Sequence, residues 1–215
     1  MTSVTIILKV DPTHPEAEVI EQAANSVESG RIIVYPTDTI YGVGTNALDP
    51  VAVLRIFEVK RRPLENPLPV AVAGMEMAER LAVVTTEAQM LMESFWPGAL
   101  TLVLPKKDIV PDLVTSGCLG LALRAPDHRV PLKIIEMIGL PLIATSANIH
   151  GAASCKSAQE AVSQIGDRVD LVLDGGATAG AASTILDLTG ARPRVLREGP
   201  VTGTMLRQVL GSDVG

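Results

Sequence analysis

Arg31-Ile32-Ile33-Val34-Tyr35-Pro36-Thr37-Asp38-Thr39-Ile40-Tyr41-Gly42 is the stretch on which the fold turns. Within 31–35, β-branched and aromatic side chains occupy the four consecutive positions after Arg31, which predicts a short strand buried on both faces. Pro36 closes it, because proline has no N–H to give to a sheet ladder. Three hydroxyls (Thr37, Thr39, Tyr41) and one carboxylate (Asp38) follow at once. The ends of sheet strands are where α/β proteins bind ligands. A plain polar turn, with Thr37 and Asp38 bonding local backbone, is the competing reading.

Working outward, residues 5–10 form a β-branched run and a first strand. Val19, Ile20, Ala23, Ala24 and Val27 have helical spacing, with Pro15 suited to the first turn and Gly30 to the stop. Asp49-Pro50 reads as an N-cap followed by a first-turn proline, opening a helix that runs to about Lys60. Further strands are expected at 69–73, 100–104, 119–124, 142–145, 171–173, 184–188 and 194–196. One or two helices fit within 75–95, and others at 128–138, 157–165 and 201–210. Strands interleaved with helices imply a sheet covered on both faces. Thr189-Gly190-Ala191-Arg192-Pro193 is too short for a helical crossover and reads as a hairpin. The expected fold class is therefore α/β, a twisted mixed parallel/antiparallel sheet flanked by helices. The small residues at 175–182 suggest a loop around a ligand, not a domain linker.

The 215 residues include 24 acidic and 18 basic side chains, a formal net charge of −6. That balance argues against binding nucleic acid by bulk charge. Five aromatic side chains, Tyr35, Tyr41, Phe57, Phe95 and Trp96, argue against a base-stacking platform. Cys118 and Cys155 form no CxxC pair and no ligand cluster, and read as reduced thiols of a cytoplasmic protein. No apolar run approaches the ~20 residues needed to span a bilayer. The N-terminus shows no basic region followed by an apolar stretch and a cleavage site.

Candidate chemistry lies elsewhere. Gly42-Val43-Gly44-Thr45-Asn46-Ala47 matches G-x-G-x-x-A, but no helix opens directly behind it, so it is rejected as a dinucleotide fingerprint. Lys60-Arg61-Arg62 is the densest cationic cluster. It either complements a helix C-terminus or clamps a polyphosphate, with Lys60 and Arg62 facing the same way. Ser146 and Asn148 follow an apolar strand and would project on one side if extension continues. Arg124 and Arg197 each end an apolar strand. Each is either paired with a carboxylate or free for an anionic ligand. His14, His128 and His150 show no ligand spacing and read as surface or supporting residues. No nucleophile–base constellation appears.

In order, Pro36–Gly42, Lys60-x-Arg62-Pro63 with Asn66-Pro67-Leu68, Phe95-Trp96-Pro97-Gly98-Ala99-Leu100-Thr101, Arg124-Ala125-Pro126-Asp127, Ser146-Ala147-Asn148, Ser183-Thr184-Ile185-Leu186-Asp187 and Leu196-Arg197-x-Gly199 resemble the YrdC family. The resemblance covers about 19–210 and implies a single YrdC-like domain over 1–215. The implied activity is L-threonylcarbamoyladenylate synthesis from L-threonine, bicarbonate or carbon dioxide, and ATP, for N6-threonylcarbamoyladenosine at position 37 of transfer RNA. It implies Lys60 and Arg62 as catalytic cations. Phosphate contacts would come from Lys60, Arg62, Ser146, Asn148 and Arg197. A threonine pocket would be made by Thr37, Thr39, Tyr41, Arg124 and Ser183. Magnesium would arrive with ATP, without a dedicated protein metal site. A downstream threonylcarbamoyl transferase would take the product, with at most weak or transient contact with transfer RNA or double-stranded RNA and no membrane partner. Ala71 and Ala182 depart from the family, which commonly has histidine and glutamate there. Two rival readings follow: a related enzyme with another carbamoyl or amino-acid substrate, and a non-catalytic double-stranded RNA or transfer RNA binder.

Overall fold

The structure is a computed structural model and describes residues 5–178 and 180–211. In chain order the elements are β1 (Ile6–Lys9), α1 (Ala17–Glu28), β2 (Ile33–Tyr35), β3 (Gly42–Gly44), α2 (Pro50–Lys60), β4 (Val70–Ala71), α3 (Met75–Leu81), α4 (Thr86–Phe95), β5 (Leu100–Pro105), α5 (Asp112–Thr115), β6 (Gly120–Arg124), α6 (Arg129–Ile138), β7 (Leu142–Ile143), β8 (Thr145–Ser146), α7 (Ala158–Ile165), β9 (Leu171–Asp174), β10 (Thr184–Asp187), β11 (Arg194–Arg197) and α8 (Gly203–Leu210).

Local chemistry sets several boundaries. The Asp49 carboxylate accepts from the Val51 and Ala52 amides at 2.9 and 3.2 Å, and Pro50 occupies the first helical position of α2. These are two of the orphan donors that every helix start must satisfy. α1 buries Ile20, Ala23, Ala24 and Val27, the stripe its spacing predicts, and packs against α6. It starts later than expected: Glu16 caps it, and Pro15 lies outside the first turn. Residues 75–95 hold two helices. No helix among the described residues is long and apolar enough to cross a membrane.

The strands sort into two mixed sheets where the sequence suggested one. The first has the order β1-β9-β2-β3-β8, and the second β11-β10-β5-β6-β4-β7. Parallel and antiparallel pairs occur in both. The β10–β11 pair is the hairpin read from Thr189–Pro193. Two elements escaped the sequence reading, β3 and the short helix α5. The Gly42–Gly44 segment, weighed above as a nucleotide motif, is a fully buried strand.

The expected strand at 142–145 divides at Ala144. Its first part, β7, pairs antiparallel with β4 of the second sheet. The Ile143 amide also donates to the Thr45 carbonyl at 2.9 Å, just beyond β3 of the first sheet. Its second part, β8, pairs with β3. One short segment thus joins both sheets. It can do so because residue 44 is glycine: a Cβ there would stand 1.9 Å from the Ile143 carbonyl oxygen. The Tyr35 hydroxyl, wholly buried, donates to that same oxygen at 3.0 Å. Gly44→Ala should therefore lower stability by about 3 kcal/mol, the upper range for overpacking a core. Denaturant melts of the variant against wild type check this. An unchanged midpoint would mean that the junction yields freely.

Candidate active site

A cleft of about 770 Å³ opens between the two sheets. Eight of the ten candidate residues line it: Thr37, Thr39, Tyr41, Arg62, Arg124, Ser146, Ser183 and Arg197. Lys60 and Asn148 lie behind its wall.

The helix end explains the divergence of Lys60 from Arg62. Arg61 caps α2 in the left-handed conformation, with φ 50°. The turn sends Lys60 inward, to 1% exposure, and Arg62 to the cleft. The Lys60 ammonium donates to the Ser146 and Asn148 carbonyls and to Asn148 Oδ1 at 3.4 Å. Extension does not continue past Ser146: the Asn148 amide turns back onto the Ser146 carbonyl at 2.9 Å. Asn148 Nδ2 is also engaged, with the carbonyls of Ile149 and Ala152. Ser146 and Asn148 therefore do not project side by side. Lys60 clasps the turn that presents Ser146. Burial, aided by the nearby Arg62 charge, pushes the Lys60 pKa down to about 7.

Arg62 explains the Asn-Pro-Leu motif. Its Nε donates to the Asn66 carbonyl at 3.0 Å and its Nη2 to the Pro67 carbonyl at 2.9 Å. His150 Nδ1 stands 3.2 Å from Nη1. Two main-chain acceptors thus fix the guanidinium plane without cancelling its charge.

Arg124 resolves to the paired alternative. Its Nη2 donates to both oxygens of Asp38 at 2.6 and 2.7 Å, its Nε to the Gly98 carbonyl at 2.8 Å, and its Nη1 to Thr39 Oγ1 at 2.9 Å. The Gly98 amide in turn donates to the Ala125 carbonyl at 2.8 Å, which anchors the Trp-Pro-Gly turn beside Arg124. Proton counting orders the hydroxyls. Thr37 donates its proton to the Ile40 carbonyl at 2.6 Å, so Thr39 donates to Thr37 across 3.0 Å and accepts from Arg124. Thr37 thus makes the local turn foreseen as the competing reading, yet still lines the cleft. Burial lowers the Arg124 pKa against the support of Asp38.

Arg197 reaches the cleft from the hairpin edge. Its Nε donates to the Ser183 carbonyl at 2.9 Å and its Nη2 to Ser183 Oγ at 3.1 Å. Gly199 permits this approach, since a Cβ there would stand 2.5 Å from the Thr184 amide nitrogen. Burial first, and then the neighbouring Arg124 charge, lower the Arg197 pKa. Tyr41 is wholly buried. Its hydroxyl donates to the Gly176 carbonyl at 2.6 Å and accepts from the Gly175 amide, so it ties the start of the small-residue loop to the cleft wall. Burial pushes its pKa up to about 12.

Two residues were missed. Asp38 was read only as part of a polar strand end or turn, because its partner lies 86 positions away. Thr101, buried in the cleft wall, holds Ser183 Oγ at 2.8 Å. Its place beside the Trp-Pro-Gly motif was the available clue. Both cysteines are free, with Cys118 at the cleft and Cys155 buried. Among the described residues, no three His, Cys, Asp or Glu side chains gather as a metal site.

Two mixed sheets facing across a cleft that carries three guanidiniums define an α/β protein with a pocket between its sheets. The Sua5/YciO/YrdC family model, described as telomere recombination, matches residues 25–199, and the chain belongs to this family. It is 43% identical over 209 residues to threonylcarbamoyl-AMP synthase of Pyrococcus abyssi (strain GE5 / Orsay), covering 96% of this chain and 61% of the relative. The chain thus spans about three fifths of that relative's length. A putative threonylcarbamoyl-AMP synthase of Mycobacterium tuberculosis (strain ATCC 25618 / H37Rv) is 38% identical over 196 residues, 90% of each chain. Among solved structures, P. abyssi Sua5 complexed with L-threonine matches with a TM-score of 0.94 at 42% identity, covering 98% of this chain and 63% of that one.

The buried lysine carries a pH signature. Unperturbed, Lys60 titrates at 10.5; in the fold it titrates at about 7. Between these values the unfolded chain binds a proton that the folded chain has released, so stability rises with pH across that window. Below pH 7 the full cost of burying the charge is present. Unfolding free energies of wild type and Lys60→Met, measured by denaturant from about pH 6 to about pH 9.5, should shift in favour of wild type as pH rises. A difference independent of pH would contradict the buried titration.

Proposed function

We propose that this chain is a threonylcarbamoyl-AMP synthase, condensing L-threonine, bicarbonate or carbon dioxide, and ATP. The observation that carries the reading is the convergence on one cleft of a hydroxyl-lined, acid-paired guanidinium (Arg124 with Thr39 and Asp38) and two guanidiniums with no acid partner among the described residues, Arg62 and Arg197. The first suits an amino-acid carboxylate; the other two suit phosphates. Relatives bearing that name, and a matching structure that holds L-threonine, support it.

The threonine amine adds to carbon dioxide and loses a proton, giving an N-carboxylate. An oxygen of that carboxylate forms a bond to the α-phosphorus of ATP, and the bond to the pyrophosphate oxygen breaks. No covalent intermediate on the protein is required. The chain aligns three reactants and stabilises charge that grows on the phosphates. Arg62 and Arg197 meet the phosphates, with the Ser146 hydroxyl between the sheets. Lys60 and Asn148 act from behind, holding the turn that presents Ser146. Arg124 and Thr39 receive the threonine carboxylate, and Thr37, Tyr41 and Ser183 complete that pocket. Magnesium enters on the triphosphate as part of the substrate. In this scheme residues 1–215 act as one domain in the cytoplasm. The product passes to a threonylcarbamoyl transferase that modifies transfer RNA.

Mass spectrometry of the product from ATP, labelled bicarbonate and labelled threonine tests the proposal. An adenylate carrying both labels, with one pyrophosphate released per adenylate, is expected. Salt-sensitive RNA binding without any adenylate would favour the RNA-binding reading instead. Arg62→Ala should reduce turnover by about 100-fold or more while keeping the wild-type melting temperature, as for removal of one preorganised charge donor. Wild-type turnover in that variant would remove Arg62 from the phosphate site.

A further inference from the structure

The three guanidiniums of the cleft differ in one respect. Arg62 is held by the carbonyls of Asn66 and Pro67 and by His150, and Arg197 by the carbonyl and hydroxyl of Ser183. Neither acceptor set carries a formal negative charge. Arg124 alone is clamped by a carboxylate, with both Asp38 oxygens on Nη2. Asp38 is not among the residues that line the cleft, and its side chain is 18% exposed. Its link to the cleft is the pair of hydrogen bonds from Arg124 Nη2. The pairing leaves Arg124 one Nη1 proton beyond its bonds to Gly98, Thr39 and Asp38, on a side chain that does line the cleft. Asp187 also lines the cleft, but three residues along β10 from Thr184, where Thr189 and Arg194 hold it.

We propose that Asp38 is a specificity-determining positioning residue: it cancels the charge of Arg124, so that this end of the cleft takes a singly charged carboxylate while multiply charged phosphates go to Arg62 and Arg197. The assignment of the two ligand classes rests on the function proposed above; the charge asymmetry does not. Coulomb energy scales with the ligand's charge. Freeing Arg124 of its counter-charge adds one positive unit, felt once by a monocarboxylate and several times over by inorganic pyrophosphate. Burial intensifies the effect, because a half-buried site is screened less than open surface. The Arg124 charge also disfavours the charge on Arg197, while Asp38 supports the charge on Arg124.

The probe is inorganic pyrophosphate, with binding followed by calorimetry on wild type, Asp38→Asn and Asp38→Glu. Asp38→Asn should bind pyrophosphate at least tenfold more tightly than wild type. In turnover assays its KM for threonine should rise relative to its KM for ATP. Asp38→Glu keeps the charge and should bind pyrophosphate within twofold of wild type. A purely structural role for Asp38 would weaken every ligand and could not tighten one. Should Asp38→Asn fail to fold, Asp38→Ser provides the same neutral site. Pyrophosphate bound no more tightly by the neutral variants, or tightened equally by Asp38→Glu, overturns the proposal. Calorimetry reads this without turnover. A wild type that forms no adenylate would defeat the proposed function while leaving the charge-setting role to be judged on its own.

Discussion

The close approach of Gly44 to the Ile143 carbonyl is the constraint on which the molecule depends. Only a residue without a Cβ allows the strand Gly42–Gly44 to lie this near the segment 142–146. That segment then serves both sheets, pairing with Val70–Ala71 on one side and with Gly42–Val43 on the other. Without it the two sheets would have no shared backbone ladder. The cleft is the space they leave between them.

The charged groups follow from that junction. Just past it, the chain turns at Ser146–Asn148, and Lys60 clasps the turn from the end of its helix. A buried ammonium bonded to three oxygens and no carboxylate is a costly arrangement. The cost is lowered when the proton leaves, which is why this lysine titrates near neutrality. On the opposite wall, Gly98 and Gly199 bring backbone close to Arg124 and Arg197. Small residues and main-chain carbonyls thus aim the cations. The single carboxylate bonded to one of them distinguishes its end of the cleft from the other.

What was legible in the sequence was local. Asp49-Pro50 declared the start of its helix because capping is a contact between neighbours. The Thr189–Pro193 hairpin was readable for the same reason. Eight of the ten residues drawn from the motifs line one cleft, since the motifs sit at strand and helix ends. What stayed hidden was long-range. Gly42-Val43-Gly44 lacks the side chains of a strand, and its strand character comes from its ladders with β2 on one side and, a hundred residues away, β8 on the other. The split at Ala144 depends on which sheet each half meets. Lys60 resembled an exposed helix-end cation because nothing nearby announces the carbonyls that bury it. Asp38 resembled a turn residue because its partner, Arg124, is distant in sequence. In each case the deciding partner belongs to another element of the fold.

One cleft, built at this junction, has two ends of different charge, which we propose hold different parts of the reaction. A crystal structure with L-threonine and a non-hydrolysable ATP analogue bound together tests it most directly. The amino-acid carboxylate should sit on Arg124 and Thr39, with the triphosphate turned toward Arg62 and Arg197. Phosphates seated on Arg124, or either ligand bound outside the space between the sheets, would contradict it.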